Sequence, residues 1–252
     1  MTLPPLTIKQ TFLTRAAAKI GISIIPTWRL EDLPMAEHLR RIFDHHQVDL
    51  AIDVGANRGV YRDLLRHNLG FKGKIISFEP IPRLAHDLRT RAASDSNWII
   101  VEAALAEITG PKKFNVMKTD VFSSFLEPDH SHTSRFSGNT VSEQLTINAF
   151  RLDDFAATSA ELATAKRVFL KLDTQGYDVQ VLAGGVECLQ RVVAFQTEIS
   201  FVPIYAGMPS FSDALAFAGR LGFAPSMFFP VCFKPDLAAV EVDCICVRKV
   251  EV

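Results

Sequence analysis

The chain has 252 residues, 48% apolar and 22% charged, a balance typical of a globular protein built on one large α/β domain. The formal net charge of −1 argues against a global attraction to nucleic acid or anionic lipid, and we expect no nucleic-acid partner. The four Cys residues lack a CxxC pair and zinc-type spacing, which predicts buried thiols and favours a reducing, cytoplasmic location.

Residues 1–46 are predicted to form a helical extension in front of the main domain, with helices near 6–22 and 34–46. The first helix is amphipathic and basic, so it could contact a membrane peripherally. We favour packing on the domain, or on a partner subunit of a homo-oligomer. No apolar run is long enough for a transmembrane segment or a signal peptide.

Strands and helices alternate from Val48 onward. The apolar runs predict strands at 49–53, 74–79 and 98–102, separated by helices at 60–69 and 82–93. Short, continuously apolar strands joined by helices indicate a parallel sheet that is covered on both faces.

The second half of the chain begins with a long polar loop, 118–143, between two extended segments at 112–117 and 144–150. A loop of this length inside a compact domain is often a lid or a binding loop, and together with segment 201–212 it is expected to shape the acceptor pocket. Further elements are predicted as a strand (168–173), a helix (177–189), a strand (192–199), a helix (211–221) and an antiparallel strand pair (227–233 and 240–248). We therefore assign 47–252 to one domain with a mostly parallel sheet that ends in a reversed strand.

The turn after the first strand carries the strongest functional signal. Asp53 precedes Gly55 by two residues, and Gly55, Asn57 and Gly59 occupy the positions of a GxGxG pattern. Dinucleotide enzymes instead use GxGxxG to hold a pyrophosphate at a helix N-terminus. A carboxylate at position 53 would repel a pyrophosphate but suits a cation, such as the ammonium group of S-adenosylmethionine. Glu79, at the end of the second strand, can accept hydrogen bonds from both ribose hydroxyls.

Several segments together resemble the FkbM-type S-adenosylmethionine-dependent methyltransferases, over about residues 48–248. They are Asp53–Gly59 (DVGANRG), Phe78–Pro80 (FEP), Arg151–Phe155 (RLDDF), Lys171–Tyr177 (KLDTQGY), Val181–Gly185 (VLAGG), Thr197–Phe201 (TEISF) and Pro203–Tyr205 (PIY). The resemblance implies a class I methyltransferase (Rossmann-like) fold and O-methylation of a hydroxyl on a sugar, glycan or related small molecule. We predict cofactor contacts at Asp53, Gly55, Ala56, Asn57, Gly59, Tyr61, Glu79, Pro80, Ile81, Ala104 and Asp173.

Methylation of an alcohol needs a general base beside the methyl donor. Asp173 ends the strand expected beside the first one, at the topological switch point where open α/β sheets bind ligands. Glu198 ends the following strand and could complete a carboxylate pair. Lys171 shares a face with Asp173 and could pair with it or lower the pKa of a hydroxyl. His130, or its neighbour His132, could act as the base from the polar loop.

Two features limit these assignments. Many family members carry Glu where this chain has Gln175, and a neutral amide cannot act as a base, so we assign Gln175 only a hydrogen-bonding role. Asp173, Glu198 and either Asp153 or Asp154 could gather round Mg²⁺, but nothing in their spacing demands it, and we predict no metal.

Two other function classes compete with a methyltransferase. One is an NAD-type oxidoreductase on a doubly wound sheet, against which the missing GxGxxG argues. The other is a non-catalytic binding domain that has kept the fold. Calorimetry with S-adenosylmethionine, S-adenosylhomocysteine and NAD would separate all three.

Overall fold

A computed structural model describes residues 33–131, 136 and 138–249. The helix predicted at 6–22 and the candidate base His132 lie outside the described residues. The helix predicted at 34–46 is present as α1, Leu33–His46. The domain boundary at residue 46 stays a prediction.

The strands and helices follow each other along the described chain in the predicted alternation. The strands are β1 (Leu50–Val54), β2 (Lys74–Phe78), β3 (Trp98–Val101), β4 (Ala104–Leu105), β5 (Gly110–Met117), β6 (Val141–Phe150), β7 (Val168–Leu172), β8 (Val192–Ser200), β9 (Phe223–Phe233) and β10 (Ala239–Arg248). The helices after α1 are α2 (Val60–Asp63), α3 (Pro82–Ala92), α4 (Leu152–Thr158), α5 (Ala160–Thr164), α6 (Asp178–Ala183) and α7 (Phe211–Arg220).

The described strands form a seven-stranded sheet in the order β3-β2-β1-β7-β8-β10-β9, with a small sheet, β4-β6-β5, beside it. β10 runs antiparallel to both β8 and β9, whereas β1 is parallel to β2 and β7. The predicted fold class is confirmed, because the sheet is mostly parallel and contains one reversed strand near its edge. The chain builds outward from β1 to β3 and then returns to β7, so the switch point lies between β1 and β7.

Both faces of the sheet are buried because the central strands alternate apolar side chains between two clusters. Ile52 and Leu170 belong to the cluster on one face, and Phe169 belongs to the cluster on the other. Phe43 of α1 packs on Phe169, with ring centroids 4.9 Å apart. The described part of the predicted extension is therefore packed against the sheet.

The single long helix predicted at 177–189 is wrong. α6 ends at Ala183, and a 3₁₀ turn follows at Cys188–Arg191. Side chains do not fit between these two elements: a Cβ at Gly184 would lie 2.3 Å from the carbonyl oxygen of Ala106. The helix predicted at 60–69 is α-helical only over α2 and continues as a π-helical turn, Leu64–Leu69.

The short elements α4, α5 and β4 were not predicted, since each spans seven residues or fewer. Periodicity over so few positions does not separate a helix from a loop.

The cysteines behave as small apolar residues. Cys188, Cys244 and Cys246 are buried. The Sγ atoms of Cys244 and Cys246 lie 3.6 Å apart and form no disulfide. Both side chains point to the same face of β10, as their spacing predicts.

Candidate active site

A pocket opens at the carboxyl ends of β1, β2 and β7. Its walls are largely apolar, with Leu105, Phe114 and Phe125 among them. Of the predicted site residues, Gly55, Asn57, Glu79, Pro80, Ile81, Ala104 and Asp173 line it. The pocket therefore lies at the switch point, where the sequence places the cofactor turn.

The turn after β1 is shaped by close backbone approach. Gly55 and Asn57 both have positive φ, at 79° and 45°. The backbone N–H groups of Gly55 and Ala56 both donate to the carbonyl of Phe78, at 3.1 and 3.0 Å. A Cβ at Gly55 would lie 2.0 Å from the carbonyl oxygen of Asp173, so only glycine fits there. The turn is thus clamped between β2 and the end of β7.

Glu79 is held rigidly at the pocket wall and is almost fully buried. Its Oε2 accepts the N–H of Asn57 at 2.7 Å, and its Oε1 accepts the N–H of Ile81 at 2.8 Å. Burial raises the pKa of Glu79 to about 7, although the two backbone donors act in the opposite direction. Each carboxylate oxygen keeps a further lone pair, so the ionised side chain can accept two more hydrogen bonds.

Asp53 lies beneath the pocket rather than in its lining. Its side chain is fully buried; Oδ2 accepts the hydroxyl of Ser77 at 2.9 Å, and Oδ1 lies 3.2 Å from Nζ of Lys171. Trp98 in turn donates its indole N–H to Ser77 Oγ at 2.9 Å. The Asp53 side chain therefore lies outside the pocket lining, and its contact with the ammonium group of the cofactor stays a prediction.

Three other predicted cofactor contacts also fall outside the pocket lining. Ala56 is buried, and Gly59 packs against Leu88 and Trp98. Tyr61 is buried in the core, where its hydroxyl donates to Gln196 Oε1 at 2.9 Å.

The predicted carboxylate pair is assembled at the rim of the pocket. Nε2 of Gln175 donates to Asp173 Oδ1 at 2.9 Å and to Glu198 Oε2 at 3.0 Å. Nζ of Lys171 lies 3.3 Å from Asp173 Oδ2, and 42% of the Asp173 side chain is exposed. Asp173 is therefore both oriented by its neighbours and accessible to an acceptor.

Burial and neighbouring charges shift the pKa values of Glu198 and Lys171. Burial, followed by the nearby carboxylates with Asp173 first among them, raises the pKa of Glu198 well above its ordinary value. Burial alone would lower the pKa of Lys171, but Asp173 and Asp53 outweigh it and hold the pKa above its ordinary value. Lys171 therefore carries its charge at neutral pH.

Two predicted groups are not brought into the site. His130 is exposed and does not line the pocket. Asp153 accepts the backbone N–H of Cys188 at 2.8 Å, and Asp154 accepts the hydroxyl of Thr109. These partners hold both side chains at α4, away from the Mg²⁺ arrangement considered above. In the part of the chain that the structure describes, no group of three His, Cys, Asp or Glu side chains is arranged to hold a metal ion.

The sequence alone did not identify Asp120 as part of the pocket. It begins a short 3₁₀ turn, Asp120–Phe122, and its Oδ2 lies 2.7 Å from Arg58 and 3.2 Å from Arg83. The first part of the polar loop therefore lines this pocket, whereas no residue of 201–212 does, and the role of both segments in shaping the acceptor pocket stays a prediction. The sequence alone also did not identify Asp243, which lies opposite Glu198 in the register of β8 and β10. Its signal is the alternation Val-Glu-Val-Asp within an otherwise apolar strand.

A sequence model of the FkbM methyltransferase domain matches residues 53–225. The chain belongs to the FkbM methyltransferase family. Family membership confirms the resemblance and the predicted methyl donor, S-adenosylmethionine. The NAD-type oxidoreductase is thereby set aside.

Among curated proteins, the chain is similar to the 2-O-methyltransferase NoeI of Sinorhizobium fredii (strain NBRC 101917 / NGR234). The two are 27% identical over 164 residues, which cover 62% of this chain and 65% of NoeI. The match thus spans slightly less than two thirds of that relative.

Solved structures with a related arrangement include an FkbM methyltransferase from Methylobacillus flagellatus KT, at 14% identity and a TM-score of 0.46. That match covers 78% of this chain and 43% of the other. The magnesium protoporphyrin IX methyltransferase ChlM from Synechocystis PCC 6803 is similar at 10% identity and a TM-score of 0.46, over 95% and 92% of the two chains. Across the described residues of this FkbM methyltransferase, no helix has the length and hydropathy needed to cross a bilayer.

Proposed function

We propose that this FkbM methyltransferase transfers a methyl group to a hydroxyl of a sugar, glycan or related small molecule. One observation carries the proposal: Asp173 presents a partly exposed carboxylate at the rim of the pocket, with Lys171 and Gln175 fixing its two oxygens. A held and accessible carboxylate is what deprotonation of an alcohol requires. The relation to NoeI, named as a 2-O-methyltransferase, supports an oxygen acceptor. A cytoplasmic location and a homo-oligomeric state stay predictions.

The residues of the pocket fit the proposed methyl donor. The apolar walls at Ile81, Phe114 and Phe125 suit an adenine ring, and Glu79 offers a carboxylate with free lone pairs to the ribose hydroxyls. Gly55 has no side chain, so its backbone can pack against the end of β7 and also line the pocket. When bound, S-adenosylmethionine supplies an electrophilic methyl group on a sulfonium sulfur.

Asp173 is the proposed general base. As the acceptor oxygen gains the methyl group, its proton passes to the Asp173 carboxylate. A positioned base typically contributes about 10²–10⁴-fold to the rate. Lys171 keeps the carboxylate oriented through Oδ2. Holding the acceptor oxygen in line with the methyl group can lower the activation free energy further, by up to about 7–11 kcal/mol.

The proposal is tested by a search for the acceptor. The protein is incubated with S-adenosylmethionine carrying an isotope-labelled methyl group and a panel of hydroxylated mono- and oligosaccharides, and the products are analysed by mass spectrometry. We expect labelled methyl ethers to accumulate. A mixture without protein, run in parallel, is the control for non-enzymatic transfer, and the Asp173→Asn protein should form much less product. Label found on nitrogen or carbon, or on no acceptor of the panel, would contradict the proposal.

Cofactor affinity is expected to depend on pH through Glu79. The ionised carboxylate is the form that accepts hydrogen bonds from two ribose hydroxyls. Its pKa is about 7, so affinity should rise by up to about tenfold per pH unit below pH 7 and level off above it. The contribution of Glu79 to folding has the opposite sign. Its raised pKa makes that contribution complete below about pH 4.5 and lost as the pH rises through 7.

Calorimetric titration with S-adenosylhomocysteine between pH 5.5 and 8.5, values chosen to be about 1.5 units either side of the pKa, measures this dependence. Glu79→Gln is the matched control, since it keeps the size of the side chain and cannot ionise. The variant should bind weakly and with a flat pH profile. A flat profile for the unaltered protein would show that Glu79 does not contact the ribose.

A further inference from the structure

Gln175 occupies a constrained position directly beyond β7. Its φ is 54°, a left-handed conformation that few residues other than glycine adopt, and Gly176 follows with a φ of 86°. The hydroxyl of Ser124 donates to the backbone carbonyl of Gln175 at 2.8 Å. Gln175 also lines the pocket. The chain therefore holds this residue in an unfavourable backbone conformation at the centre of the candidate site, which is where such strain is commonly found.

The side chain of Gln175 has a partner for each of its polar atoms. Both hydrogens of Nε2 are directed to carboxylates, one to Asp173 and one to Glu198, at 2.9 and 3.0 Å. Oε1 accepts the hydroxyl of Tyr205, which is buried, at 2.8 Å. The amide cannot be turned over, because its oxygen would then face two carboxylate oxygens. One neutral group thus bridges the two acids and is itself fixed by a buried tyrosine.

The surroundings favour a neutral group at position 175. The titratable and charged groups around it are Lys171 and Asp173 on β7 and its end, Asp178 on α6, Glu198 on β8, Glu241 and Asp243 on β10, and Tyr205 in the loop after β8. Burial raises the pKa of Asp243 to about 6 and also raises the pKa values of Asp178 and Glu241. Acidic groups outnumber the cation Lys171 among these residues. A carboxylate at position 175 would add another negative charge to this cluster. It would raise the pKa values of the neighbouring acids, so that the cluster would hold an additional proton.

We propose that Gln175 is a positioning residue, whose two amide hydrogens hold the Asp173 and Glu198 carboxylates apart and direct Asp173 at the acceptor hydroxyl. The inference rests on the proposed function of Asp173. Gln175 acts through Asp173, so its effect is on how readily that carboxylate takes the acceptor proton at a given pH. Glutamine can orient both carboxylates, because its amide donates two hydrogens and carries no charge. Glutamate, which has the same shape, donates none when it is ionised.

The test compares Gln175→Glu with Gln175→Met. Both side chains have nearly the length of glutamine and meet the same backbone constraint, but the first adds a charge and the second removes the donors without adding one. With Gln175→Glu, kcat at pH 7 is expected to fall at least about tenfold and to recover at about pH 9, because the extra carboxylate raises the proton affinity of the cluster. With Gln175→Met, kcat should fall with a much smaller displacement of the pH profile.

A merely structural role would lower kcat equally at every pH in both variants, and that result would overturn the inference. Side-chain carboxyl NMR titration of the same proteins needs no acceptor. It should show the Glu198 signal titrating at higher pH in Gln175→Glu than in the unaltered protein, and an unchanged titration would also overturn the inference. Failure of the proposed function is distinguishable, because the unaltered protein would then methylate no hydroxyl while the NMR comparison still decides the effect of Gln175 on the acids.

Discussion

Asp173→Asn is expected to lower the kcat of methyl transfer by about 10²–10⁴-fold, the usual contribution of a general base. Asparagine keeps the shape of the side chain and can still accept the hydrogen bond from Gln175. It cannot take a proton from the acceptor. Stability should change little, because the Asp173 side chain is 42% exposed and Lys171 retains its second partner, Asp53. The measurements are steady-state kcat, calorimetric affinity for S-adenosylhomocysteine and the denaturation midpoint.

Glu198→Gln is the matched comparison, since Glu198 accepts from the same amide but lies deeper in the acidic cluster. Burial and the neighbouring carboxylates raise the pKa of Glu198 well above its ordinary value, which disfavours the ionised form that a base requires. We expect Glu198→Gln to lower kcat far less than Asp173→Asn. If the order is reversed, the base is Glu198, and the orientation of Asp173 by Lys171 serves another purpose. Loss of cofactor affinity together with kcat in Asp173→Asn would mean that Asp173 acts mainly in binding.

Local patterns were sufficient to predict most of the fold. Continuous apolar runs gave β1, β2 and β7, because strands buried on both faces need no alternation. The short link through Lys234 to Asp236 correctly indicated that the final two strands pair in opposite directions. The end of the helix at Ala183 was not predicted, because it is set by contacts with Ala106 and Leu152, residues distant in sequence. Tertiary packing of this kind leaves no periodic signal.

The sequence predicted those residues of the candidate site that lie at the ends of strands. The carboxyl ends of β1, β2, β7 and β8 supplied Gly55, Glu79, Asp173 and Glu198, since parallel strands meet at one edge of the sheet. The orientation of side chains within that edge was not predictable. Asp53 and Glu79 both follow apolar runs, yet one side chain is buried in an ion pair and the other lines the pocket. Asp53 lies within β1 and opposite Lys171 of β7, whereas Glu79 lies one residue beyond the end of β2.

Lys171→Met is expected to destabilise the protein by about 3–5 kcal/mol, the cost of leaving a buried charge without its partner. Lys171 is 6% exposed, and Asp53 is fully buried with only Ser77 as a further partner for Oδ2. Denaturant unfolding at neutral pH measures the loss. Lys112→Met is the matched control, because Lys112 pairs with Glu107 in a half-exposed setting where ion pairs contribute about 1 kcal/mol or less.

The double variant Asp53→Asn/Lys171→Met separates a paired charge from simple packing. With both charges removed, most of the lost stability should return, because neither partner is left buried and alone. If the double variant is as unstable as Lys171→Met, the ion pair is not the cause. The same protein decides the role of Asp53. Near-normal affinity for S-adenosylhomocysteine in the double variant would mean that Asp53 makes no direct contact with the cofactor, whereas a large loss would support the direct ammonium contact that the sequence predicted.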